Sequence, residues 1–222
     1  MALLRNGILG GIKGTVGPVV GSKWRNLDVL KSKPRPTTKN PKEGQVIQRS
    51  KFGMVNNFLK GMKSFIEIGF QSREQRISPM NAAVRYCLER AVVCQSQMFH
   101  LDYQKVKISL GPLPVATDLA IMVNANGELN LSWSALREID PSVKMERDND
   151  KVMVAVYDPL KQRSCGSCGE FKRSDFSVGF QLPLAFIGMP LYVWTFFMSE
   201  SGKQVSDSIY LGTVTVNEQS AL

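Results

Sequence analysis

The sequence has very little histidine and cysteine. Among 222 residues there is one histidine, His100, and there are four cysteines. Nucleophilic catalysis by a Ser-His or Cys-His pair needs a histidine beside the nucleophile, so one histidine leaves little for such chemistry. Four cysteines are also too few for the disulfide framework of a short secreted domain. We therefore expect a reduced, non-enzymatic protein that uses no cofactor and no small-molecule substrate.

One pair of cysteines has the spacing of a metal or redox motif. Cys165 and Cys168 enclose Gly-Ser and are followed by another glycine. Structural zinc needs four ligands, and the second pair, Cys87 and Cys94, lacks the spacing of a zinc knuckle. A redox motif of the thioredoxin type would need a βαβ setting. Zinc and redox roles stay open, but we expect two incidental cysteines in a glycine-rich loop and no metal site.

Long hydrophobic runs are missing as well. The longest candidate, residues 183–198, is interrupted by Pro190 and is shorter than the roughly 18 apolar residues of a membrane-spanning helix. The N-terminus lacks the order of a signal peptide, because Lys13 and several glycines break its apolar stretch. These features predict a cytoplasmic chain, or one carried in a released particle, that has no membrane-spanning segment.

What the sequence does have is a strongly uneven charge. The formal net charge is +9, and residues 1–51 account for all of it, with eleven Lys and Arg against Asp28 and Glu43. The other 171 residues hold 17 basic and 17 acidic side chains. A basic segment on a neutral body favours an anionic partner, which leaves nucleic acid, an acidic protein and an anionic membrane surface as alternatives.

The first 21 residues combine glycine with aliphatic side chains. Six glycines lie among Leu, Ile and Val, a mixture that is unusual for a disordered tail. Glycine allows a backbone to run close to a partner, as in strand addition to a sheet edge. We predict that this segment docks on neighbouring subunits, with a flexible tail as the alternative. The predicted docking residues are Gly7, Ile8, Leu9, Gly10, Gly11, Gly14, Val16, Gly17, Val19, Val20, Gly21 and Trp24.

A basic run that contains three prolines follows this segment. As a nucleic-acid arm it would neutralise phosphates without reading bases, because it has no recognition helix and few aromatic side chains. As a solvated linker it would need no partner. The predicted anion or nucleic-acid contacts are Lys23, Arg25, Lys31, Lys33, Arg35, Lys39, Lys42, Arg49 and Lys51.

Two helices are predicted in residues 41–100. Asn40, Pro41 and Glu43 have the spacing of a capping box, and apolar residues recur at helical intervals as far as about residue 70. Ser78 and Pro79 begin a second helical pattern that extends to about residue 95. The two helices are expected to form an antiparallel hairpin.

Beyond Phe99 the hydrophobic period changes to two, which indicates strands. Seven short strands with a buried tryptophan predict an antiparallel β-sandwich of the immunoglobulin or fibronectin type III kind. The fold class is therefore α+β, with an extended glycine-rich basic arm at 1–40, a helical hairpin at 41–100 and a sandwich at 101–222. The predicted strands are 103–109, 119–123, 128–134, 151–157, 175–182, 191–198 and 208–216.

Three segments resemble an uncharacterised family found in Bacteroidota genomes. They are GILGGIKGTVGPVVGSKW at 7–24, QRSKFGMVNNFL at 48–59 and SDSIYLGTVTV at 206–216. The family's block reads GILGG…GKVG.VVG..W, and Thr15 stands where that block has lysine. The resemblance implies one architecture across the whole chain and no known activity.

These features favour a non-enzymatic structural protein. We expect its arm to dock on copies of itself or on other subunits of a larger assembly, virion-like or filament-like. A nucleic-acid-binding or packaging protein that uses the basic arm is the alternative.

Overall fold

The computed structural model describes residues 3–4 (backbone only), 11–24, 27–35, 40–71, 77–95, 98–124, 126–135 and 147–216. The chain divides into two compact units, Met1–Lys42 and Glu43–Leu222.

The first unit is a small antiparallel sheet. Its strands are β1 (Leu3–Leu4), β2 (Ile12–Val16), β3 (Val19–Trp24) and β4 (Leu27–Ser32), and they lie in sequence order. The extended arm predicted from the sequence is therefore not supported. Valine is β-branched and favours strands, and the Gly17-Pro18 pair lets β2 turn back onto β3. We refer to this unit's four strands as the N-terminal sheet.

The described residues hold three α-helices, all in the second unit. They are α1 (Glu43–Gly61), α2 (Lys63–Gly69) and α3 (Pro79–Arg90). The prediction of a single helix over 41–70 is wrong. The helix is interrupted at Met62, where φ is −106° and ψ is 14°, so α1 and α2 are separate helices. The second helix begins as predicted, with the Ser78 hydroxyl accepting a hydrogen bond from the Asn81 amide at 3.3 Å.

That second helix is shorter than predicted, because residues 92–95 form a strand. β5 (Val92–Gln95) pairs with β6 (Met98–Leu101) in a hairpin. Residues 103–109 are not a strand either. Ile108 and Ser109 instead donate their amides to the Ser208 hydroxyl at 2.9 and 3.3 Å, which attaches this segment to the chain at residue 208.

The remaining strands form two antiparallel sheets. β7 (Thr117–Val123), β8 (Glu128–Ser134) and β11 (Ser177–Gln181) form a three-stranded sheet in the order β11-β8-β7. β9 (Lys151–Asp158), β10 (Arg163–Lys172), β12 (Pro190–Met198) and β13 (Ile209–Thr215) form a four-stranded sheet in the order β10-β9-β12-β13. Six of the seven predicted strands are present within a few residues, and β10 is the strand that the sequence did not indicate.

The four-stranded sheet is covered on both faces. Alternate residues of β9 pack on opposite sides of the sheet. Met153, Ala155 and Tyr157 pack with the helices. Val152, Val154 and Val156 pack with the three-stranded sheet. A strand buried on both faces reads as a continuous apolar run, as KVMVAVY does. The second unit therefore has three layers: helices, the four-stranded sheet and the three-stranded sheet.

A buried ion pair lies between these two sheets. The Arg173 Nη2 is 3.2 Å from the Asp150 Oδ2, and both side chains are almost fully buried. Arg173 also donates to the Pro114 carbonyl at 2.9 Å and lies 4.0 Å from the centre of the Phe197 ring. Its own carbonyl accepts a hydrogen bond from the Trp133 indole at 3.0 Å. The pair therefore holds the start of β9 next to the end of β10, and each buried charge has an opposite charge beside it.

Candidate functional site

The turn between β2 and β3 sets the register of the N-terminal sheet. Val16 pairs with Val19, so Gly17 and Pro18 form a two-residue loop. Gly17 has a φ of +54°. A type I′ turn requires a positive φ at both central residues, which Pro18 cannot adopt, so the loop is of type II′ with glycine at its first position.

Two glycines of the predicted docking segment meet each other across this hairpin. Gly14 lies opposite Gly21, and Gly14 has a φ of +114°. A Cβ added to Gly21 would overlap the carbonyl oxygen of Ile12. The close backbone approach that glycine permits is therefore used inside the sheet itself.

The strand pairing defines two faces of the sheet, because residues directly opposite each other point to the same side. One face, which we call the apolar face, carries Val16, Val19 and Leu30 around the two glycines. The other face, which we call the Trp24 face, carries Val20, Trp24, Leu27, Val29 and Lys31.

Both faces are open in the described structure. Leu30 on the apolar face is 61% exposed, and Trp24 and Leu27 on the other face are 57% and 62% exposed. A sheet normally buries one hydrophobic face against another element. Contiguous exposed apolar side chains of this kind mark interaction sites.

One edge of the N-terminal sheet is a second surface to which a partner could bind. β4 is the last strand in the order, and among the described strands none pairs with its outer side. Such an edge presents unpaired N–H and C=O groups that another strand can use. The edge ends near Lys33, whose amide donates to the Pro18 carbonyl at 2.7 Å.

The first unit has a net charge of +8, from nine basic side chains against Asp28. Asp28 lies directly opposite Lys23 on β3, so the apolar face bears one opposite-charge pair. Lys31 and Lys33 are exposed. The unit is thus strongly cationic, whereas residues 43–222 hold 19 basic and 18 acidic side chains.

The predicted anion contacts are divided between the two units. Lys23, Lys31, Lys33, Arg35 and Lys42 belong to the first unit, whereas Arg49 and Lys51 lie on α1 of the second. Lys51 is also engaged, because its Nζ lies 4.3 Å from the centre of the Phe99 ring. The predicted residues Arg25 and Lys39, and the docking residues Gly7, Ile8, Leu9 and Gly10, lie outside the described residues.

The predicted loop around the two motif cysteines is wrong, because they lie on β10. Cys165 pairs with Val156 and Cys168 with Met153, with no irregularity between them. Residues three apart on a strand point to opposite faces, so these two thiols cannot hold one metal ion or form a disulfide with each other. Burial raises the pKa of the Cys165 thiol to about 12. Within the described part of the chain, no group of His, Cys, Asp and Glu side chains has a metal-binding arrangement.

Nor does any helix among the described residues have the length and apolar character needed to cross a membrane.

Sequence reasoning missed the two-faced character of the N-terminal sheet. The signal that could have revealed it is the stretch Val16-Gly17-Pro18-Val19, in which a turn pair is flanked by valines. Sequence alone does not reveal how exposed the side chains of the two faces are in the described structure, because exposure depends on what packs against the sheet.

Together, these observations define a mixed α/β protein, largely antiparallel, with an open cationic sheet at its N-terminus. The chain belongs to a family of unknown function, DUF6266, whose model matches residues 11–212. The match extends over both units, and it confirms that the chain belongs to an uncharacterised family; the Bacteroidota origin and the family's sequence motifs stay predictions. No curated protein is similar enough to the chain to count as a relative.

Proposed function

We propose that the protein is a non-enzymatic structural component that assembles through its N-terminal sheet. The observation that supports this function is the solvent exposure of Val16, Val19 and Leu30 on the apolar face of the described sheet. Burying such side chains against a partner removes apolar surface from water, which favours association. The assembly would be a larger one, virion-like or filament-like, whose subunits are copies of this chain.

Charge selects the surface on which the sheet docks. Two first units would each bring a charge of +8 and would repel one another. The nearly neutral second unit of a neighbouring copy imposes no such cost. Docking of one copy's sheet on the next copy's second unit is a heterologous contact, which produces rings or filaments.

The architecture of the second unit is consistent with a building role. In its seven strands from β7 to β13, the fourth strand, β10, pairs with the third, β9. A constant-type immunoglobulin domain pairs its fourth strand with the fifth, whereas a fibronectin type III domain has the order seen here. We propose a fibronectin type III-like sandwich for residues 117–215, with the helices as an added layer.

Two variants on one strand test the docking face. Leu27 and Leu30 are equally exposed on β4 but lie on opposite faces. Light scattering after size exclusion should give a mass well above 24.7 kDa for the wild type and for Leu27→Ser. Leu30→Ser should run at or near 24.7 kDa. A wild-type monomer, or a Leu30→Ser variant that assembles like the wild type, would contradict the proposal.

Nucleic-acid packaging is the second candidate, and the Trp24 face favours it. That face places an exposed indole and the Lys31 ammonium on one side of the cationic sheet. Aromatic side chains stack on bases, and lysines neutralise phosphates. If the basic residues form roughly six to nine phosphate contacts, affinity for single-stranded DNA should fall by about 300-fold to 6,000-fold between 50 and 200 mM salt.

A filter-binding titration with Lys31→Gln as a variant tests this second candidate. Loss of one phosphate contact should reduce the slope of log affinity against log salt by about 0.7 for a single strand. Glu200→Gln, an exposed change in the second unit, is the control and should leave the slope unchanged. Absence of binding at about 50 mM salt would exclude the function.

A further inference from the structure

The second unit contains a pocket that the proposed assembly role does not use. It has a volume of about 360 Å³ and lies between α1, β6 and the turn that follows β9. Ligand pockets in proteins usually measure about 300 to 1,000 Å³. We call it the aromatic pocket, because Phe58, Phe99, Tyr103 and Tyr157 are among the residues that line it.

The aromatic rings are held in a fixed arrangement. Phe58 packs edge-to-face with Tyr157, with 4.9 Å between ring centres, and with Tyr103 at 5.7 Å. Tyr103 also stacks on Tyr192, with 4.0 Å between the ring centres. These contacts fix the orientation of the Tyr103 ring, so a ligand would meet a preorganised wall.

The Tyr103 hydroxyl can donate a hydrogen bond at neutral pH, because an ordinary tyrosine keeps its proton there. Burial raises the pKa of Tyr103 further, to about 12.

The pocket also contains side chains that can form hydrogen bonds. Asn57 and Gln162 supply two amides, each with a donor and an acceptor, and His100 supplies ring nitrogens. None of the lining residues is Asp, Glu, Lys or Arg. Lys51, which lies over the Phe99 ring, is a neighbour of the pocket but not part of its lining.

This chemistry discriminates between classes of ligand. An ionic ligand would lose its hydration and gain no counter-charge from the lining. A wholly apolar ligand would cover the two amides without satisfying them, which costs free energy. A ring with an apolar C–H face and several hydroxyls avoids both penalties, because its hydroxyls donate and accept while its C–H face packs on an aromatic ring.

We propose that the aromatic pocket binds a neutral saccharide unit. Its C–H face lies on the Phe99 or Tyr103 ring, and its hydroxyls bond to Asn57 and Gln162. This proposal is independent of the N-terminal sheet, since every residue in it belongs to the second unit.

The single histidine provides a specific probe. In tag-free, full-length protein the imidazole C–H resonances come from His100 alone. We would titrate the protein with methyl glucoside, methyl galactoside and N-acetylglucosamine, each to about 50 mM, so that millimolar affinities are detected. A saturable shift of the His100 resonance with at least one sugar is expected. No saturable shift with any of the three would overturn the proposal.

Two neighbouring asparagines on α1 provide a matched control. Asn57 lines the pocket, whereas Asn56 does not. Asn57→Ala should weaken sugar binding about fivefold, the value of one lost hydrogen bond, and Asn56→Ala should leave the affinity unchanged. Equal affinities for the two variants, with both still folded by thermal melting, would overturn the assignment. Tighter binding of glucuronate than of the neutral sugars would do the same.

Discussion

Arg173 and Asp150 form an ion pair with 3.2 Å between Nη2 and Oδ2, and neither charge is accessible to solvent water to any useful extent. They come from different parts of the second unit, Asp150 just before β9 and Arg173 just after β10. The amide of Arg173 also donates to the Asp150 carbonyl at 2.8 Å. Backbone and side chain together thus hold the two strand ends in register.

The first prediction concerns this pair. Arg173→Met leaves the Asp150 carboxylate buried without its cation, so the free energy of unfolding should fall by about 3 to 5 kcal/mol in a urea titration. The matched control is Arg85→Met, which removes an exposed ion pair with Glu89 and should cost less than about 1 kcal/mol. Similar losses of unfolding free energy for the two variants would show that burial does not determine how much an ion pair contributes to stability.

The second prediction concerns the backbone contact in the N-terminal sheet. Gly21→Ala places a methyl group against the Ile12 carbonyl, so β2 and β3 should separate and the Trp24 fluorescence should change. Unfolding of the second unit should stay the same. Gly53→Ala on α1 meets no atom within 4 Å and should stabilise the helix by about 0.5 to 1 kcal/mol. An unchanged amide spectrum of residues 12–24 in Gly21→Ala would contradict the described contact.

The third prediction concerns alkaline pH. Burial raises the pKa of the Cys87 thiol from 9.0 to about 12. The unfolded chain loses this proton near pH 9 while the folded chain keeps it, so the thiol's contribution to stability is fully present below pH 9 and is lost as pH rises towards 12. The loss is at most about 1.4 kcal/mol per pH unit.

Replacing Cys87 by alanine isolates that effect. The difference in unfolding free energy between wild type and Cys87→Ala should shrink as pH rises above 9. Val84→Ala, which removes a buried non-titrating side chain from the same helix, should show a constant difference from the wild type. Parallel pH curves for all three proteins would rule out the proton linkage.

The fourth prediction concerns the start of α3. Ser78→Ala removes the side-chain acceptor of the Asn81 amide and should cost about 1 kcal/mol. Ser50→Ala, at an exposed position inside α1, should instead be neutral or slightly stabilising, because alanine is the better helix former. Of the two variants, only Ser78→Ala should therefore lower the thermal midpoint.

Local chemistry made part of the fold predictable. The Asn126-Gly127 pair and the strict alternation after it gave β8 with both ends correct, and Ser78 with Pro79 gave the start of α3. The break at Met62 was missed, although Gly61 before it is a typical helix-ending residue. A continuous apolar period across that point concealed it.

Other parts depended on distant contacts. β10 contains Gly166 with a φ of +146°, and a Cβ there would overlap the Val154 carbonyl on the neighbouring strand. Read alone, that glycine indicates a loop, and only pairing with β9 makes it part of a strand. The same holds for Val92 and Val93, which continue the helical pattern in sequence but pair with β6. The buried charge of Arg173 had no sequence signal either.

Because β9 contributes alternate side chains to two hydrophobic clusters, we expect the helices and both sheets to unfold as one cooperative unit. A truncated fragment of residues 101–216 would leave Trp194 and Phe196 against water and would aggregate for reasons unrelated to the N-terminal sheet. Protein engineering that removes the first unit should therefore keep residues 43–216 in one piece.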